Sequence, residues 1–215
     1  MTCFECALVG AASFDAEHFS HEHFDVVVAV DGGFASLVEA GVKPAFALGD
    51  FDSLGYVPEA VECEVYPAMK DDSDTALALE WAREQGFSSA VVYGALGGRL
   101  DHTQATLAAL AGAARNGMHV CAVGESYVVV VLASGMRLSV AAKDEGTFSV
   151  FSVGDQASGV SEVGPLYEVE GIELRNDVTL GLSNEFVGKP VSVFVESGTL
   201  LVFLPSMPLA DIEFA

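Results

Sequence analysis

Two aspartates separated by one phenylalanine follow an apolar run in the first quarter of the chain. Residues 45–48 are apolar, and residues 49–53 read Gly-Asp-Phe-Asp-Ser. In an extended backbone, residues i and i+2 point the same way, roughly 6.5–7 Å apart at Cα, so Asp50 and Asp52 can converge on one ion. Mg²⁺ prefers oxygen ligands and usually takes one or two carboxylates, water and substrate phosphates. The spacing therefore predicts a site for a hard divalent cation at a strand end.

Two more clusters follow at intervals that suit successive strand ends. Residues 70–75 read Lys-Asp-Asp-Ser-Asp-Thr, and residues 97–102 read Gly-Gly-Arg-Leu-Asp-His; each opens a predicted helix. Helix capping accounts for one acid of the first cluster but not for three aspartates. Ligands of open α/β sheets gather at the carboxyl ends of the strands. We therefore expect residues 25–102 to form one composite site.

Strand and helix patterns alternate up to about residue 133, which predicts a doubly wound, mostly parallel sheet. The predicted strands cover residues 4–11, 25–31, 45–48, 64–67, 90–96, 119–123 and 127–133. The predicted helices cover residues 34–40, residues 75–85, and an alanine-rich segment that starts at Asp101 or Thr103 and stops at residues 116–117.

The pattern changes from Met136 onward, where short alternating runs are separated by glycines. This favours a small antiparallel β-sandwich or half-barrel, with strands at residues 147–153, 168–174, 191–196 and 199–204. We expect an α/β fold with two domains, residues 1–134 and 135–215, the second being the β-sandwich.

Charge limits the possible partners. Nine basic residues against 31 acidic ones give a net charge of −22 over 215 residues. Such a surface repels nucleic acids and anionic membranes and attracts a small cation; free ATP is repelled unless it arrives as its magnesium complex or meets a local arginine. No run reaches the ~20 apolar residues of a membrane span, and no signal peptide is evident, so we expect a cytoplasmic protein.

Histidines and cysteines offer weaker metal candidates. His18, His21 and His23 lie close together, but no further ligand accompanies them, so a solvated polar loop is expected there. The four cysteines are expected to be reduced and mostly buried, because structural zinc would need more ligands. They are Cys3, Cys6, Cys63 and Cys121.

Five motifs in order resemble the thiamine pyrophosphokinase (thiamine diphosphokinase) family. They are Asp-Gly-Gly at residues 31–33, Gly-Asp-Phe-Asp-Ser at 49–53, the acidic cluster at 71–74, Gly-Gly-Arg-Leu-Asp-His at 97–102 and Gly-Leu-Ser-Asn-Glu-Phe at 181–186. Their order and approximate spacing match over residues 25–204. The chain departs from the family pattern at residues 10–12, at Ser73 and at Thr106, and it keeps the carboxylates.

The resemblance implies a fold and a reaction. An α/β nucleotide-binding domain precedes a β-sandwich domain, and a homodimer binds thiamine between the first domain of one subunit and the second domain of the other. The reaction transfers the pyrophosphoryl group of ATP to the hydroxyl of thiamine and leaves AMP, with Mg²⁺ required.

The resemblance and the clustering together assign roles to residues. Asp50, Asp52 and Asp74 are expected to hold Mg²⁺, and Arg99 to bind phosphate oxygens through its fork of donors. Asp101 is expected to orient Arg99 or to bind a ribose or the metal. The remaining predicted contacts, in order along the chain, are Asp31 with a ligand, Lys70 with phosphate, His102 as a base or a helix-start hydrogen-bonding group, Tyr167 by stacking, and Ser183 and Asn184 with thiamine.

Two alternatives remain open from the residues alone. A phosphohydrolase would use Asp50 as nucleophile and Asp52 as acid, although Leu54 follows Ser53 where that motif usually continues differently. A metal- or nucleotide-binding regulatory module would use the β-domain for assembly and would catalyse nothing.

Overall fold

The computed structural model describes residues 4–67 and 71–215. In the first part of the chain, strands and helices alternate. In order they are β1 Cys6–Val9, α1 Ala16–Ser20, β2 Val26–Val30, α2 Gly33–Glu39, β3 Phe46–Gly49, β4 Glu62–Val65, α3 Asp74–Glu84, β5 Ser89–Tyr93, α4 Leu100–Arg115, β6 His119–Val123 and β7 Tyr127–Ala133.

The rest of the described chain is built from strands and one short 3₁₀ turn at Leu209–Asp211. The strands are β8 Arg137–Lys143, β9 Thr147–Ser152, β10 Gln156–Val163, β11 Val169–Arg175, β12 Asn184–Glu185, β13 Lys189–Phe194, β14 Thr199–Pro205 and β15 Ile212–Phe214.

Within residues 4–67 and 71–215, one sheet has ten strands in the order β12-β9-β14-β7-β6-β5-β1-β2-β3-β4. The six strands from β4 to β6 run parallel, and β1 lies between β2 and β5, with Cys6 paired to both Val26 and Ala90. The chain thus builds the sheet outward from β1 in one direction and then in the other. The switch point of this doubly wound sheet lies between β1 and β5, where a ligand cleft is expected.

Apolar side chains fill both faces of this sheet. Alternate residues of β1 enter different cores: Ala7 and Val9 face one, Cys6 and Leu8 the other. Helices α3 and α4 cover the second face, and α1 and α2 cover part of the first. This two-sided burial explains why the central strands are continuous apolar runs.

The second sheet has five antiparallel strands in the order β11-β10-β13-β8-β15. Its inward residues, such as Val140, Val160 and Val193, share a core with Val150 and Val202 of β9 and β14. The expected fold class is therefore confirmed. Strands β14 and β9 continue the first sheet beyond β7, so the large sheet does not stop at the expected boundary near residue 134, and the division into two domains stays a prediction.

The predicted solvated loop is confirmed for His21 and His23, which are exposed beyond the end of α1, but it is wrong for His18. Residues Ala16–Ser20 form a helix capped by Asp15, whose Oδ1 accepts from the His18 N–H at 2.9 Å, and Phe19 is buried. The His18 ring lies 3.1 Å from the Tyr93 hydroxyl and 2.9 Å from the Met207 carbonyl. The helix is short and its apolar contacts are made with distant strands, so local periodicity did not indicate it.

Three of the four cysteines lie in the described part of the chain and are free thiols. Cys6 and Cys121 are buried, as predicted, and Cys63 is half-buried; burial raises the pKa of the Cys6 thiol to about 12. Cys3 lies outside the described residues. None of the helices described here has the length and apolarity that a membrane span requires.

Candidate active site

The turn after β2 packs closely against the end of β1 and the loop after β3. Asp31 has a left-handed backbone (φ 48°), and its N–H donates to the Leu48 carbonyl at 2.8 Å. A Cβ on Gly33 would collide with the carbonyl oxygen of Val9, and one on Gly32 would lie 2.7 Å from the Ser53 hydroxyl oxygen. The two glycines therefore let the Asp31 turn approach both β1 and the loop after β3.

The loop after β3 carries the other two carboxylates. Phe51 is buried and has φ 55°, so the chain leaves the extended conformation at this residue. The Asp52 N–H donates to Asp50 Oδ1 at 3.2 Å, and the Asp52 side chain is exposed. The expectation of strand-like i, i+2 alternation was wrong: Asp50 and Asp52 converge because a tight turn folds around the buried Phe51 side chain.

Asp31, Asp50 and Asp52 come together as one group, called here the carboxylate triad. Each offers one oxygen, and the three oxygens lie within 4.8 Å of one another. The Ser53 hydroxyl donates to Asp31 Oδ2 at 2.5 Å, whereas Asp31 Oδ1 is buried and has no hydrogen-bond partner among the described residues. A buried, unpartnered carboxylate oxygen facing two further acids is costly without a cation. The triad therefore fits a hard divalent cation.

The predicted ligand Asp74 lies outside this triad, although it lines the same cleft. It is the first residue of α3, and Ser73 caps that helix by accepting from the Ala76 N–H at 3.3 Å. Lys70, the predicted phosphate contact in the same cluster, lies outside the described residues.

Arg99 and Asp101 form a bidentate ion pair at the start of α4. The Arg99 Nε donates to Asp101 Oδ1 at 3.2 Å and Nη2 to Oδ2 at 2.6 Å. The arginine lowers the pKa of Asp101 to about 2, and the His102 N–H adds a bond of 3.1 Å to Oδ1. Arg99 Nη1 makes no hydrogen bond with the described residues. Asp101 thus holds one edge of the guanidinium, which fits the first of the three roles predicted for it, namely orienting Arg99.

A cleft of about 560 Å³ joins these groups. Asp31, Asp52, Asp74, Arg99 and His102 line it, together with backbone from the ends of β1 and β5. This volume lies within the usual range for small-molecule sites. The sequence-predicted residues of the first half, apart from Asp50, Lys70 and Asp101, thus share one cavity, and Asp50 joins it through the triad.

The floor of the cleft at the switch point was missed by sequence reasoning. The Gly10 N–H donates to the Tyr93 carbonyl at 2.8 Å, and the Ala12 N–H donates to the Gly94 carbonyl at 2.7 Å. A Cβ on Gly10 would lie 2.6 Å from the Gly94 oxygen, so side chains are excluded where these two loops meet. The sequence signal for this close contact is a glycine directly after each of two buried strands, Gly10 after β1 and Gly94 after β5.

Ser183 and Asn184 do not line this cleft. Ser183 is exposed with φ 58°, and its N–H donates to the Ser149 hydroxyl at 3.0 Å. Asn184 is buried, and its side-chain amide makes four hydrogen bonds within the chain, described below. These residues lie at the β12–β9 end of the large sheet, on the far side of β7 from the triad.

The fold and the site define a class: an α/β protein whose switch-point cleft combines an arginine with carboxylates suited to a divalent cation. A family model described as "Thiamin pyrophosphokinase, catalytic domain" matches residues 19–122. Thiamine pyrophosphokinase of Bacillus subtilis (strain 168) is 37% identical over 94 residues, which span 41% of this chain and 44% of that relative. Thiamin pyrophosphokinase 1 of Caenorhabditis elegans is 27% identical over 172 residues, 74% of this chain and 69% of that relative.

Solved structures agree with these matches. The crystal structure of thiamine pyrophosphokinase from Bacillus subtilis aligns with a TM-score of 0.79 at 22% identity, covering 94% of this chain and 99% of that chain. The sequence match thus spans less than half of the Bacillus relative, whereas the structural match, which bears on the fold, spans nearly all of it. The chain is therefore similar to thiamine pyrophosphokinases in sequence over part of its length and in fold over nearly all of it.

Proposed function

We propose that this protein is a thiamine diphosphokinase, which transfers the pyrophosphoryl group of ATP to the hydroxyl of thiamine and releases AMP. The observation that carries the proposal is the carboxylate triad beside an oriented arginine in the switch-point cleft. The similarity to thiamine pyrophosphokinases suggests the reaction, and the cleft supplies the groups that such a reaction needs.

The triad is the proposed Mg²⁺ site, with Asp74 as a further acid on the same cleft. Bound there, Mg²⁺ would offset negative charge on the phosphate oxygens. The protein's own contribution is to hold Asp31, Asp50 and Asp52 in fixed turns, so that the metal complex of ATP is received without rearrangement. Without a cation, these acids would repel the triphosphate.

Arg99, which lines the same cleft as the triad, is the proposed phosphate contact. Because Asp101 holds the Nε–Nη2 edge, the guanidinium is oriented before a ligand arrives, which reduces the entropy lost on binding. Gly97 and Gly98, both with positive φ, let the backbone approach a phosphate closely. Lys70 is proposed as a second cation there, and His102 as a group that contacts the nucleotide or the reacting hydroxyl.

Thiamine is proposed to bind near Ser183 and Asn184, in a site that two subunits complete. The chain carries a net charge of −22, which favours the approach of a cationic thiazolium ring. Tyr167, whose residue surface is 61% exposed, offers an aromatic face for that cation. Residues 1–134 would act as the nucleotide domain, and residues 135–215 as the thiamine and dimer domain.

A homodimer is proposed because apolar side chains are exposed in the stretch of chain that contains this second site. Of the twelve large hydrophobic residues exposed in the described chain, seven lie between residues 163 and 187, so the apolar surface is concentrated in one stretch. They are Val163, Leu166, Tyr167, Val178, Leu180, Leu182 and Val187. Exposed apolar surface that forms a large patch usually marks an interaction site. Use of ATP and free thiols suit the cytoplasm, which is the proposed location.

The test is incubation of the purified protein with ATP, Mg²⁺ and thiamine, followed by separation of the products. The proposal expects AMP and thiamine diphosphate in equal amounts, formed only when thiamine is present. Inorganic phosphate released with an aspartyl phosphate (an acyl phosphate) trapped on Asp50 would instead identify a phosphohydrolase. Unchanged ATP in the presence of thiamine would identify a non-catalytic module.

A further inference from the structure

Glu162 is a buried carboxylate outside the cleft. It lies on β10 with only 4% of its surface exposed, and its Oε2 accepts from Asn184 Nδ2 at 2.7 Å. No arginine or lysine forms a salt bridge with it among the described residues. Burial raises the pKa of Glu162, as expected when a carboxyl group is removed from water. A buried acid of this kind costs stability, so its retention needs an explanation beyond packing.

Its partner Asn184 uses its whole hydrogen-bonding capacity. Nδ2 donates to Glu162 Oε2 and, at 2.8 Å, to the Tyr167 carbonyl; Oδ1 accepts from the Tyr167 N–H at 3.1 Å and from the Glu185 N–H at 2.9 Å. An asparagine amide has two donors and an oxygen with two lone pairs, so none is left for a ligand. The direct thiamine contact predicted for Asn184 would therefore require one of these bonds to break.

These bonds hold a loop that presents an exposed aromatic ring. Asn184 binds both the N–H and the carbonyl of Tyr167, the Leu166 N–H donates to the Glu185 carbonyl at 2.9 Å, and the Gly164 N–H donates to Glu168 Oε1 at 2.8 Å. The backbone of Tyr167 is thus fixed while its ring faces solvent. Ser183, exposed and left-handed, immediately precedes Asn184.

Glu162 decides which way the Asn184 amide points. A carboxylate oxygen in this place accepts from Nδ2, so Oδ1 is directed to the two backbone N–H groups. With an apolar residue at position 162, one amide proton would be buried without an acceptor, and the reversed amide would lose its bonds to Tyr167 and Glu185.

We propose that Glu162 is a positioning residue for thiamine, acting through Asn184 to hold Tyr167 and Ser183 ready for the cationic ligand. The proposal rests on the proposed function. Glu162 does not itself touch thiamine; it restricts the loop so that less freedom is lost on binding.

The test compares Glu162→Ala with Glu162→Gln in steady-state assays. We expect Glu162→Ala to raise the KM for thiamine by about tenfold or more, as for loss of a hydrogen bond to a charged group, while kcat and the KM for ATP stay close to wild type. Glu162→Gln keeps an acceptor oxygen and should restore most of the thiamine affinity. The control is Gln156→Ala, an exposed position on the same strand.

A double-mutant cycle separates positioning from general destabilisation. Tyr167→Ala alone should raise the KM for thiamine, and adding Glu162→Ala should raise it little further, because both act through one loop. Additive effects, an unchanged KM in either single variant, or an equal loss in kcat would overturn the proposal. If Glu162→Ala does not fold, Glu162→Gln is compared with Tyr167→Ala instead. Glu162→Gln must then keep the thiamine affinity of wild type, and Tyr167→Ala must lose it. Wild-type protein that forms no thiamine diphosphate would reject the proposed function instead.

Discussion

The three acids of the triad are held in different ways. Asp31 is fixed by a left-handed backbone and by the Ser53 hydroxyl, the Asp50 carboxylate accepts the Asp52 backbone N–H, and the Asp52 side chain is exposed. Phe51, buried between two acids, also has positive φ. Non-glycine residues in this conformation store strain and cluster at functional sites. Two of them in neighbouring turns indicate that the backbone was shaped to bring the carboxylates together.

Asp52→Asn tests the triad at its most exposed member. Loss of one carboxylate weakens the proposed metal site, so we expect AMP formation to fall by roughly a hundredfold or more. The free energy of unfolding should hardly change, because the side chain is exposed. Initial rates and thermal denaturation measure the two effects.

The matched control for that variant is Asp25→Asn. Asp25 is exposed just before β2, at the opposite end of the strand that Asp31 follows, so the net charge changes equally. It should keep wild-type activity. Equal activity of both variants would remove Asp52 from the site.

The Arg99–Asp101 pair gives a prediction about pH. Asp101 has its pKa lowered to about 2, chiefly by the Arg99 side chain, so the ionised pair persists well below neutral pH. Any contribution of this pair to folding stability is fully present when the pH is above the ordinary pKa of an aspartate. It is lost as the pH falls through about 2, the lowered pKa of Asp101. Arg99→Ala should return the pKa of Asp101 toward its ordinary value, measured by carbon NMR of the carboxyl group.

A second pair of the same spacing supplies the control. Arg175 and Asp177 also pair at i, i+2 on the exposed surface, and Arg175→Ala should leave the pKa of Asp101 unchanged. A wild-type Asp101 that titrates at the ordinary value would show that the pair does not form in solution.

Among the secondary-structure elements, the ends of the parallel strands carry the site, and glycines decide how closely those ends meet. Gly33→Ala would drive a Cβ into the Val9 carbonyl, so we expect the free energy of unfolding to fall by about 1–3 kcal/mol, measured by urea denaturation. Gly112→Ala, inside α4 with open space around its Cβ position, should raise it by about 0.5–1 kcal/mol. Equal urea concentrations at the unfolding midpoint for the two variants would contradict this account of the strand ends.

Strands and long helices could be predicted because their signals are local. The apolar runs at residues 119–123 and 127–133 appear as strands with those bounds, and Ser73 caps α3 as its type suggests. Helix α1 could not be predicted in this way, since its stability depends on Phe19 packing against distant residues and on the contacts of His18. Strand β10, with small and polar residues and a backbone irregularity, also lacked a local pattern.

The site was predictable in its residue types and less so in its geometry. Asp50, Asp52 and Arg99 could be chosen because acids and arginine at strand ends suit phosphate chemistry. The membership of Asp31 in the triad depends on β2 and β3 being neighbours, which is a property of the sheet. The saturated amide of Asn184 depends on Glu162, 22 residues earlier on another strand, and no local spacing indicates that pair.

At the scale of the whole molecule, the proposed dimer makes the clearest prediction. Light scattering should give a mass close to twice that of one chain. Leu180→Glu places a charge on an apolar residue that is 65% exposed, and it should yield monomers that lose thiamine-dependent turnover, because the proposed thiamine site is completed by two subunits.

The control is Val38→Glu on α2, which is 56% exposed and lies outside the 163–187 stretch. It should remain dimeric and active. A wild-type protein that is monomeric and fully active at assay concentrations would reject the shared thiamine site.

The central claim is that Asp31, Asp50 and Asp52 hold one divalent ion at the edge of the switch-point cleft. The most direct measurement is an anomalous diffraction map of crystals soaked with Mn²⁺, at a concentration that supports turnover. We predict one strong peak bonded to an oxygen of each of the three residues. A map in which Mn²⁺ is bound elsewhere, with these three carboxylates not coordinating it, would contradict the account.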